Sequence, residues 1–324
     1  MYCLELAGSD DAFAAAEAAT AATDVTVVAP GLATARGVDA AGAQRLAYTH
    51  RVSALVGRTD ADVASAAALL SAAAIDREGT VAVRARNVRS ASAASTREAE
   101  RELGRVLVDR GFAVDLDDPD HELRALFAAD VCLLGWLTVE TDRGFGDRRP
   151  TDRPFFQPGS MDPMDARAVV NLAGAGPGVG LLDPMCGTGG LLVEAGLVGS
   201  SVVGSDAQWK MARGTRENLD AALGEGTGAV VRADATRLPF RDDAFDAVAF
   251  DAPYGRQSKI EGRDLSTLVA GALAEAARVA PRGVLVADRE WDAAAADAGW
   301  SVEACFRRPV HGSLDRVVHV LRRS

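Results

Sequence analysis

Lysine is almost absent from this 324-residue chain. Lys210 and Lys259 are the only lysines among 35 basic residues, 46 residues are acidic, and the formal net charge is −11. Nucleic-acid binders usually carry a basic surface, so this balance argues against a protein that binds polyanions over its whole surface. A hydrated acidic surface resists salting out, and the bias is typical of adaptation to a very salty cytoplasm. Any contact with a polyanion would therefore have to come from local clusters of arginine.

Cysteine and histidine are also scarce, with four residues of each type. No two cysteines have C-x-x-C spacing and the histidines are dispersed, so the sequence predicts no zinc site and no other metal. A long apolar run and a basic, apolar leader are absent too, which predicts no membrane span and a cytoplasmic protein. Nothing in the composition indicates an oligomeric state.

Residues 180–190 read as a strand that leads into a glycine-rich turn, and a predicted helix, Leu191–Leu197, follows. Glycine lets a backbone approach a ligand where a side chain would collide, and the turn opens onto a helix N-terminus that can meet an anion. The G-x-G-x-x-G pattern of dinucleotide sites fails here, because its sixth position counted from Gly187 is Leu192. The Gly-Lys-Ser/Thr of a P-loop is absent, which argues against ATP.

Four predicted strands each end in an aspartate, namely Asp183, Asp206, Asp234 and Asp251. Each acid alone could simply cap a following helix. In an open parallel sheet, however, the carboxyl ends of the strands meet at one edge, where ligands bind. An acid about twenty residues after the glycines holds the ribose hydroxyls in nucleotide-binding βαβ units. The four carboxylates therefore predict an adenosine-shaped cleft, with Asp206 as the ribose ligand.

The last of these strands leads into Asp251-Ala252-Pro253-Tyr254. Asp251 can accept one N–H of a planar exocyclic amine, a backbone carbonyl near Pro253 can accept the other, and Tyr254 can stack on the heterocycle. Holding both hydrogens aims the nitrogen lone pair at an electrophile, which is catalysis by positioning. The alternative is an ordinary turn, because Asp, Pro and Gly are common turn residues.

These features resemble the class I S-adenosylmethionine-dependent methyltransferases, specifically the amino-methylating group with the signature (Asn/Asp/Ser)-Pro-Pro-(Tyr/Phe/Trp). Ala252 stands where the signature has its first proline. The resemblance implies an α/β, Rossmann-like fold whose seven-stranded mixed sheet ends in an antiparallel hairpin. It also implies S-adenosylmethionine as the cofactor and Asp251, Pro253 and Tyr254 as catalytic residues.

The same resemblance implies a set of cofactor-binding residues. Phe156 and Pro158 belong to residues 153–161, which are similar to the segment that closes over the cofactor, although such aromatics are more often core residues. Asp206 would hold the ribose, and Asp234 would lie near the adenine amino group. The turn around the methionine part of the cofactor would comprise Asp183, Cys186, Gly187 and Gly189.

The first half of the chain resembles an RNA-binding module. Residues 114–120, Val-Asp-Leu-Asp-Asp-Pro-Asp, are similar to the V-(D/N)-L-x-x-P-(D/N) stretch of THUMP domains, which bind the acceptor end of tRNA. With this half included, the chain resembles the archaeal tRNA guanine-10 N2-methyltransferase family, which implies tRNA as the partner and one or two methyl additions. The implied division is a ferredoxin-like α+β domain at 1–46, a THUMP domain at 47–141, a linker at 142–152 and a methyltransferase domain at 153–324.

Two pairs of arginines are the predicted RNA contacts. Arg84 and Arg86 alternate along a predicted strand, which places both side chains on one face. Arg148 and Arg149 lie in the linker, where contact with phosphate and a merely solvated connector are both open.

Three other functions share these parts. The tRNA guanine-6 N2-methyltransferases combine the same domains, a DNA adenine N6-methyltransferase would use the same loop chemistry, and Ala252 makes a non-catalytic RNA-binding protein conceivable. The THUMP-like half argues against DNA. In the favoured function the target guanine leaves its stack and enters the cleft, because its amino group cannot meet a methyl donor inside a helix.

Overall fold

A computed structural model describes residues 1–253, 265–311 and 314–324 of the chain. These residues form two compact units, Met1–Asp142 and Arg143–Ser324. The predicted catalytic residue Tyr254 lies outside the described residues. Within the three described ranges, no helix is long and apolar enough to cross a membrane.

The first unit contains a large sheet and a small one. Its strands are β1 (Tyr2–Leu6), β2 (Ala22–Thr23), β3 (Thr26–Ala29), β4 (Leu32–Ala35), β5 (Gly37–Val38), β6 (Thr49–Asp60), β7 (Thr80–Asn87), β8 (Ala113–Val114), β9 (His121–Ala128) and β10 (Val131–Glu140). Its helices are α1 (Asp11–Ala18), α2 (Ala40–Ala43), α3 (Val63–Ala72) and α4 (Thr96–Asp109). The large sheet has the order β3-β4-β1-β6-β10-β9-β7-β8, and β2 pairs with β5.

Strands from both sides of the predicted boundary at residue 46 share the large sheet. β1 pairs antiparallel with β4 on one side and with β6 on the other. Residues 1–46 and 47–141 therefore contribute to the same eight-stranded sheet. The division of this unit into two domains stays a prediction.

Local chemistry sets the helix starts of this unit. The side chains of Asp10 and Asp62 each accept a hydrogen bond from the backbone N–H three residues further on, which satisfies a free donor of the first turn. The sequence predicts a helix from Asp11 to Ala22, but α1 ends at Ala18. The predicted helix is too long because alanine favours a helix throughout this stretch, whereas Ala22 and Thr23 pair as β2 with β5.

The second unit is built on a seven-stranded sheet. Its strands are β11 (Gly180–Asp183), β12 (Ser201–Asp206), β13 (Ala229–Arg232), β14 (Ala247–Asp251), β15 (Arg282–Ala287), β16 (Trp300–His311) and β17 (Leu314–Arg323). Its helices are α5 (Pro163–Leu172), α6 (Gly190–Leu197), α7 (Trp209–Leu223), α8 (Leu265–Val279) and α9 (Asp292–Asp297). The strand order is β13-β12-β11-β14-β15-β17-β16.

Strand direction divides this sheet into two parts. Neighbouring strands from β13 to β15 are parallel, whereas β17 is antiparallel to both β15 and β16. The strand order reverses at β11, which lies between β12 and β14, and ligands bind at such switch points beyond the carboxyl ends of the strands. This is the mixed sheet with a closing hairpin that the resemblance implied. The predicted α/β class I methyltransferase fold is confirmed.

The core of the second unit lies along the parallel strands. Leu182, Val248 and Phe250 are fully buried, as expected for apolar strands covered within a parallel sheet. Leu273 of α8 belongs to the same cluster, and its carbonyl accepts a hydrogen bond of 2.9 Å from the indole Nε1 of Trp300. This packing fixes the ends of β11 and β14, where the predicted site begins.

Candidate active site

The turn between β11 and α6 is built around two glycines with positive φ. Gly187 has φ +53° and Gly189 has φ +79°, a left-handed conformation that other residues adopt only at a cost. A Cβ at Gly189 would also lie 2.8 Å from Cγ2 of Thr215. The Thr215 hydroxyl donates to Gly187 O at 2.8 Å, and Cys186 N donates to Ser205 O at 2.9 Å. The protein itself therefore fixes the conformation of the turn.

The two sides of this turn differ in packing. Cys186 is buried, its Sγ lies 3.5 Å from the hydroxyl oxygen of Thr215, and burial raises the pKa of the thiol well above its usual value. A neutral, enclosed thiol is a packing group rather than a nucleophile. Gly187, in contrast, is open, because the nearest atom to an added Cβ would be Met185 O at 3.9 Å. A ligand can approach the backbone there.

Asp206 joins the end of β12 to the glycine turn. Its Oδ2 accepts a hydrogen bond of 3.2 Å from Gly187 N, and its Oδ1 accepts one of 2.8 Å from Gln208 N. Burial raises the pKa of Asp206, while these two hydrogen bonds favour the ionised carboxylate and lower it. The carboxylate is therefore oriented at the edge of the sheet.

Asp183 ends β11 almost fully buried, and its carboxylate accepts a hydrogen bond of 3.0 Å from Met185 N. Burial raises the pKa of Asp183 well above its usual range, and the negative charges of Asp251 and Asp206 raise it further. The three carboxylates thus share one electrostatic field at the carboxyl ends of β11, β12 and β14. Such a field favours a cationic ligand.

The end of β14 stays paired with β15 one residue beyond the strand. Asp251 is opposite Val286, and Ala252 N donates to Val286 O at 2.8 Å. Ala252 is also buried. A proline at position 252 would have no N–H and would lose this bond, so alanine keeps the backbone paired up to Pro253.

Asp234 lies in a turn after β13 rather than in the strand. The sequence predicts a strand up to Asp234, but β13 ends at Arg232. The Asp234 carboxylate accepts hydrogen bonds from the backbone N–H and the hydroxyl of Thr236, at 2.9 and 2.8 Å, and such local bonds compete with strand pairing. Ala233 N donates to Asp206 O at 3.1 Å, which keeps this turn beside the end of β12.

Residues 153–161 are tied to the glycine turn by Asn218 of α7. Asn218 Oδ1 accepts a hydrogen bond of 2.9 Å from Phe155 N, and its Nδ2 donates to Phe155 O and to Thr188 O, each at 2.8 Å. The hydroxyl oxygens of Ser160 and Thr188 lie 3.0 Å apart. The segment is thus held against the turn at two points.

The two neighbouring phenylalanines of this segment have different surroundings. Phe155 packs on α7 at Gly214, where an added Cβ would lie 2.1 Å from the ring, so Phe155 is a packing residue. Phe156 is 41% exposed, and Pro158 is exposed as well. Both offer surface to a ligand, and their cofactor role stays a prediction.

Sequence reasoning missed the residues that clamp the turn. Thr188 and Ser160 lie within the glycine turn and the segment 153–161 but were given no role, and Thr215 and Asn218 belong to no motif that the sequence singled out. Asn218 could have been found, because it shares the buried face of α7 with Thr215. A polar side chain at a core position needs a hydrogen-bond partner.

Arg148 is held inside the second unit. Its guanidinium donates to the Glu194 carboxylate at 3.0 and 3.3 Å. Arg167 contacts the same carboxylate at 2.7 Å, and Glu194 is fully buried. The guanidinium carbon of Arg148 also lies 5.2 Å from the ring centroid of Phe145. Arg148 is therefore committed to a buried ion cluster, whereas Arg149 is exposed.

Arg84 and Arg86 lie on β7 of the first unit and both have partners there. Arg84 donates to Leu116 O at 2.5 Å, and a guanidinium nitrogen of Arg86 lies 3.2 Å from the buried carboxylate of Glu5. The two arginine side chains remain 39% and 42% exposed. Both retain accessible surface, and their RNA contact stays a prediction.

Known proteins are similar to this chain in sequence and in fold. A family model described as the RMKL-like methyltransferase domain matches residues 150–315. The chain is 37% identical to the tRNA (guanine(10)-N2)-dimethyltransferase of Methanothermobacter thermautotrophicus, over 86% of this chain and 84% of that protein. It is 31% identical to the protein of the same name from Pyrococcus abyssi, over 86% and 85%.

A curated relative and a solved structure from Thermus thermophilus are also similar to this chain. The tRNA (guanine(6)-N2)-methyltransferase is 33% identical, over 51% of this chain and 49% of that protein. The crystal structure of TrmN shares the fold with a TM-score of 0.52 and 24% identity, and the alignment covers 100% of this chain and 99% of that one.

Proposed function

The chain belongs to the family of the RMKL-like methyltransferase domain and the archaeal tRNA (guanine(10)-N2)-dimethyltransferases, and on that premise we propose that it methylates the exocyclic N2 of a guanine in tRNA. The target is guanine 10, which receives a first and then a second methyl group. The observation that carries the proposal is the position of Asp251, which ends β14 in the same electrostatic field as Asp183 beside the glycine turn. An acceptor for the amine then lies next to the site of the methyl donor.

Asp251 is the proposed acceptor for one hydrogen of the N2 amine. A main-chain oxygen of residues 252–253 accepts the other, and Tyr254 stacks on the guanine after it has left its helix. Two acceptors hold the amine in one orientation and favour a pyramidal nitrogen whose lone pair can attack. Asp251 takes up the proton late in the transfer. One N–H remains after the first transfer, so the second needs no new group.

The residues at the glycine turn fit S-adenosylmethionine. The open backbone at Gly187 leaves room for a ligand, and the carboxylates around Asp183 oppose the positive charges of the sulfonium and ammonium groups. When bound, the cofactor supplies a methyl group on an electron-poor sulfur. Asp206 is oriented to accept the ribose hydroxyls, and Asp234 is proposed to contact the adenine amino group. Phe156 and Pro158 are proposed to cover the bound cofactor.

The first unit is proposed to bind the tRNA in the cytoplasm. Residues 1–46 act as the ferredoxin-like companion and residues 47–141 as the THUMP domain, with Arg84 and Arg86 as phosphate contacts. Arg149 is proposed as a further contact, because its side chain is exposed while that of Arg148 is occupied by Glu194.

Replacing Arg149 by glutamine is expected to flatten the salt dependence of tRNA binding. Loss of one phosphate contact lowers the slope of log Kd against log salt concentration by about one. Titrations of labelled tRNA at several salt concentrations measure this slope. Arg36→Gln is the matched control, since Arg36 is exposed and paired with Asp24. An unchanged slope in Arg149→Gln would show that Arg149 makes no phosphate contact and is simply solvated.

Mapping the modified nucleoside tests the proposed reaction. The enzyme is incubated with labelled cofactor and either an unmodified tRNA transcript or duplex DNA, and the digested products are located by mass spectrometry. N2-methylguanosine and then N2,N2-dimethylguanosine at position 10 are expected. A methyl group on guanine 6 would favour the second candidate, which the Thermus thermophilus relative supports. Methylated adenine in DNA, or cofactor binding without any methylated nucleoside, would contradict the proposal.

Cofactor binding is expected to release a proton from Asp183. Burial and the neighbouring carboxylates raise the pKa of Asp183 in the free protein, so the carboxyl is protonated below that raised pKa, and a bound cation favours the ionised form. Affinity therefore rises with pH from the ordinary pKa of an aspartate up to the raised one. Calorimetry in buffers of different ionisation enthalpy counts the proton. Asp183→Asn keeps the acceptor for Met185 N and should release fewer protons than the unaltered protein. Equal proton release from both proteins would refute the assignment.

A further inference from the structure

Three potential metal ligands come together at the antiparallel edge of the second unit. Asp292 begins α9, Cys305 lies on β16 and His319 lies on β17. One ligand atom from each lies within 4.8 Å of the other two. Cys305 and His319 are directly opposite each other in the β16–β17 pair, so their side chains project from the same face. The dispersed sequence positions hid this cluster.

The imidazole of His319 is set in the tautomer that a metal requires. The ring is fully buried, and its Nδ1 lies 3.4 Å from the carbonyl oxygen of Leu285, which can only accept a hydrogen. The Nε2 accepts a hydrogen bond of 3.1 Å from Trp291 N. The proton therefore sits on Nδ1, as in metal sites where the second ring nitrogen donates to a backbone carbonyl.

The single lone pair of Nε2, which accepts from Trp291 N, also lies near the carboxylate of Asp292. The distance from Nε2 to Asp292 Oδ1 is 3.5 Å. Tetrahedral zinc, with ligand distances of about 2.0–2.3 Å, separates its ligand atoms by roughly 3.3–3.6 Å. The nitrogen and oxygen are thus already at the spacing that zinc needs. Cys305 is exposed, so its side chain can rotate to bring Sγ to bonding distance of the metal.

The charges around the cluster are mainly acidic. Asp292 and Glu290 are negative charges that both raise the pKa of the Cys305 thiol, after the larger effect of the partial desolvation of this thiol. Arg307, the nearby cation, is paired with Glu290 at 3.2 Å and with Asp315 at 3.5 Å. A thiolate and a carboxylate would together balance a divalent cation, and metal binding would displace the thiol proton.

We propose that Asp292, Cys305 and His319 bind a zinc ion that fastens α9 to the β16–β17 hairpin. A thiolate, an imidazole and a carboxylate are a ligand set for zinc and not for magnesium or calcium, which prefer oxygen alone. A water molecule or Glu290 fills the fourth position. Trp291 N gives up its bond to Nε2, so the start of α9 moves on binding. This site is independent of the proposed methyl transfer.

Cobalt is the probe for this site, because a thiolate bound to tetrahedral Co²⁺ absorbs visibly and in the near ultraviolet. The full chain, freed of metal with a chelator, is titrated with Co²⁺ alone. One equivalent should produce the thiolate-to-cobalt band, and Zn²⁺ should abolish it. Cys305→Ser should lose the band while keeping its fold by circular dichroism. A band that persists in Cys305→Ser, or no band in the unaltered chain, would overturn the site.

A second pair of variants tests the carboxylate ligand. Asp292→Asn should weaken Co²⁺ binding by at least about tenfold, since even removing a group that only supports a ligand costs this much. Asp297→Asn is the matched control, because Asp297 ends the same helix and lies outside the cluster. Equal affinities for the two variants would exclude Asp292 as a ligand.

Discussion

Replacing Asp251 by alanine is expected to lower the rate constant of methyl transfer by about 1000-fold, the loss seen when one positioning hydrogen-bond partner is removed from an active site. The side chain lies at the end of β14 and β14 itself is held by pairing with β15, so the sheet should survive the change. The dissociation constant of S-adenosylmethionine should change much less than the rate, because Asp251 is proposed to bind the amine and adds only its charge to the field that meets the cofactor. Single-turnover methylation of tRNA and calorimetric titration of the cofactor measure the two quantities.

Asp206→Asn should show the opposite pattern and is the control for this prediction. Asp206 is oriented by Gly187 N and Gln208 N at the end of β12, where the ribose is proposed to bind. Its replacement should weaken cofactor binding while leaving the rate at saturating cofactor nearly unchanged. Asp251→Asn keeps one acceptor oxygen and should fall between Asp251→Ala and the unaltered enzyme. Full activity of Asp251→Ala would remove Asp251 from the mechanism.

The parallel strands of the second unit could be read from the sequence because their signals are local. Ser201–Asp206 is predicted with the bounds that β12 has, and each short apolar run ends in a turn residue. Register, parallel direction and burial then follow from packing the runs side by side. Asp183, Asp206 and Asp251 lie near one another because they end neighbouring parallel strands. The sequence predicts this proximity because each of the three strands ends in an aspartate.

The support of the glycine turn could not be predicted in this way. Asn218 bonds to Phe155 across 63 positions of the chain, and to Thr188 across 30. Neither distance along the chain leaves a periodic pattern or a motif. The hydrogen bond from Ala252 N to Val286 O could not be predicted from the sequence either. Only the pairing of β14 with β15 shows why alanine is suited to a position where the signature has proline.

The linker arginines show why a charge pattern alone is ambiguous. The sequence offers Arg148 and Arg149 as equivalent phosphate contacts. The structure separates them, since Arg148 reaches a carboxylate on α6 that lies 46 positions further along the chain. A buried acid such as Glu194 costs free energy without a partner. A glutamate in the middle of an apolar helix was therefore the sequence signal that an arginine would be buried beside it.

Replacing Glu194 by alanine is expected to destabilise the second unit by about 3–5 kcal/mol, the cost of removing one partner from a buried ion pair. Arg148 and Arg167 would lose their shared carboxylate, and the Arg167 side chain is only 3% exposed. Such a loss should lower the melting temperature by about 10 °C for a unit of this size. Denaturant titration and thermal melting measure the change.

Glu217→Ala is the matched control for this loss. Glu217 pairs with Arg213 on the surface of α7, with side chains 46% and 69% exposed, and an exposed pair of this kind contributes only about 0.5 kcal/mol. The two variants remove the same side chain from a helix and differ mainly in burial. High salt should weaken the exposed pair and leave the buried one nearly unchanged, because buried charges are poorly screened. If Glu194→Ala were no more destabilising than Glu217→Ala, the desolvation of Glu194 would cancel its attraction to both arginines, and the cluster would fix the position of Arg148 without stabilising the fold.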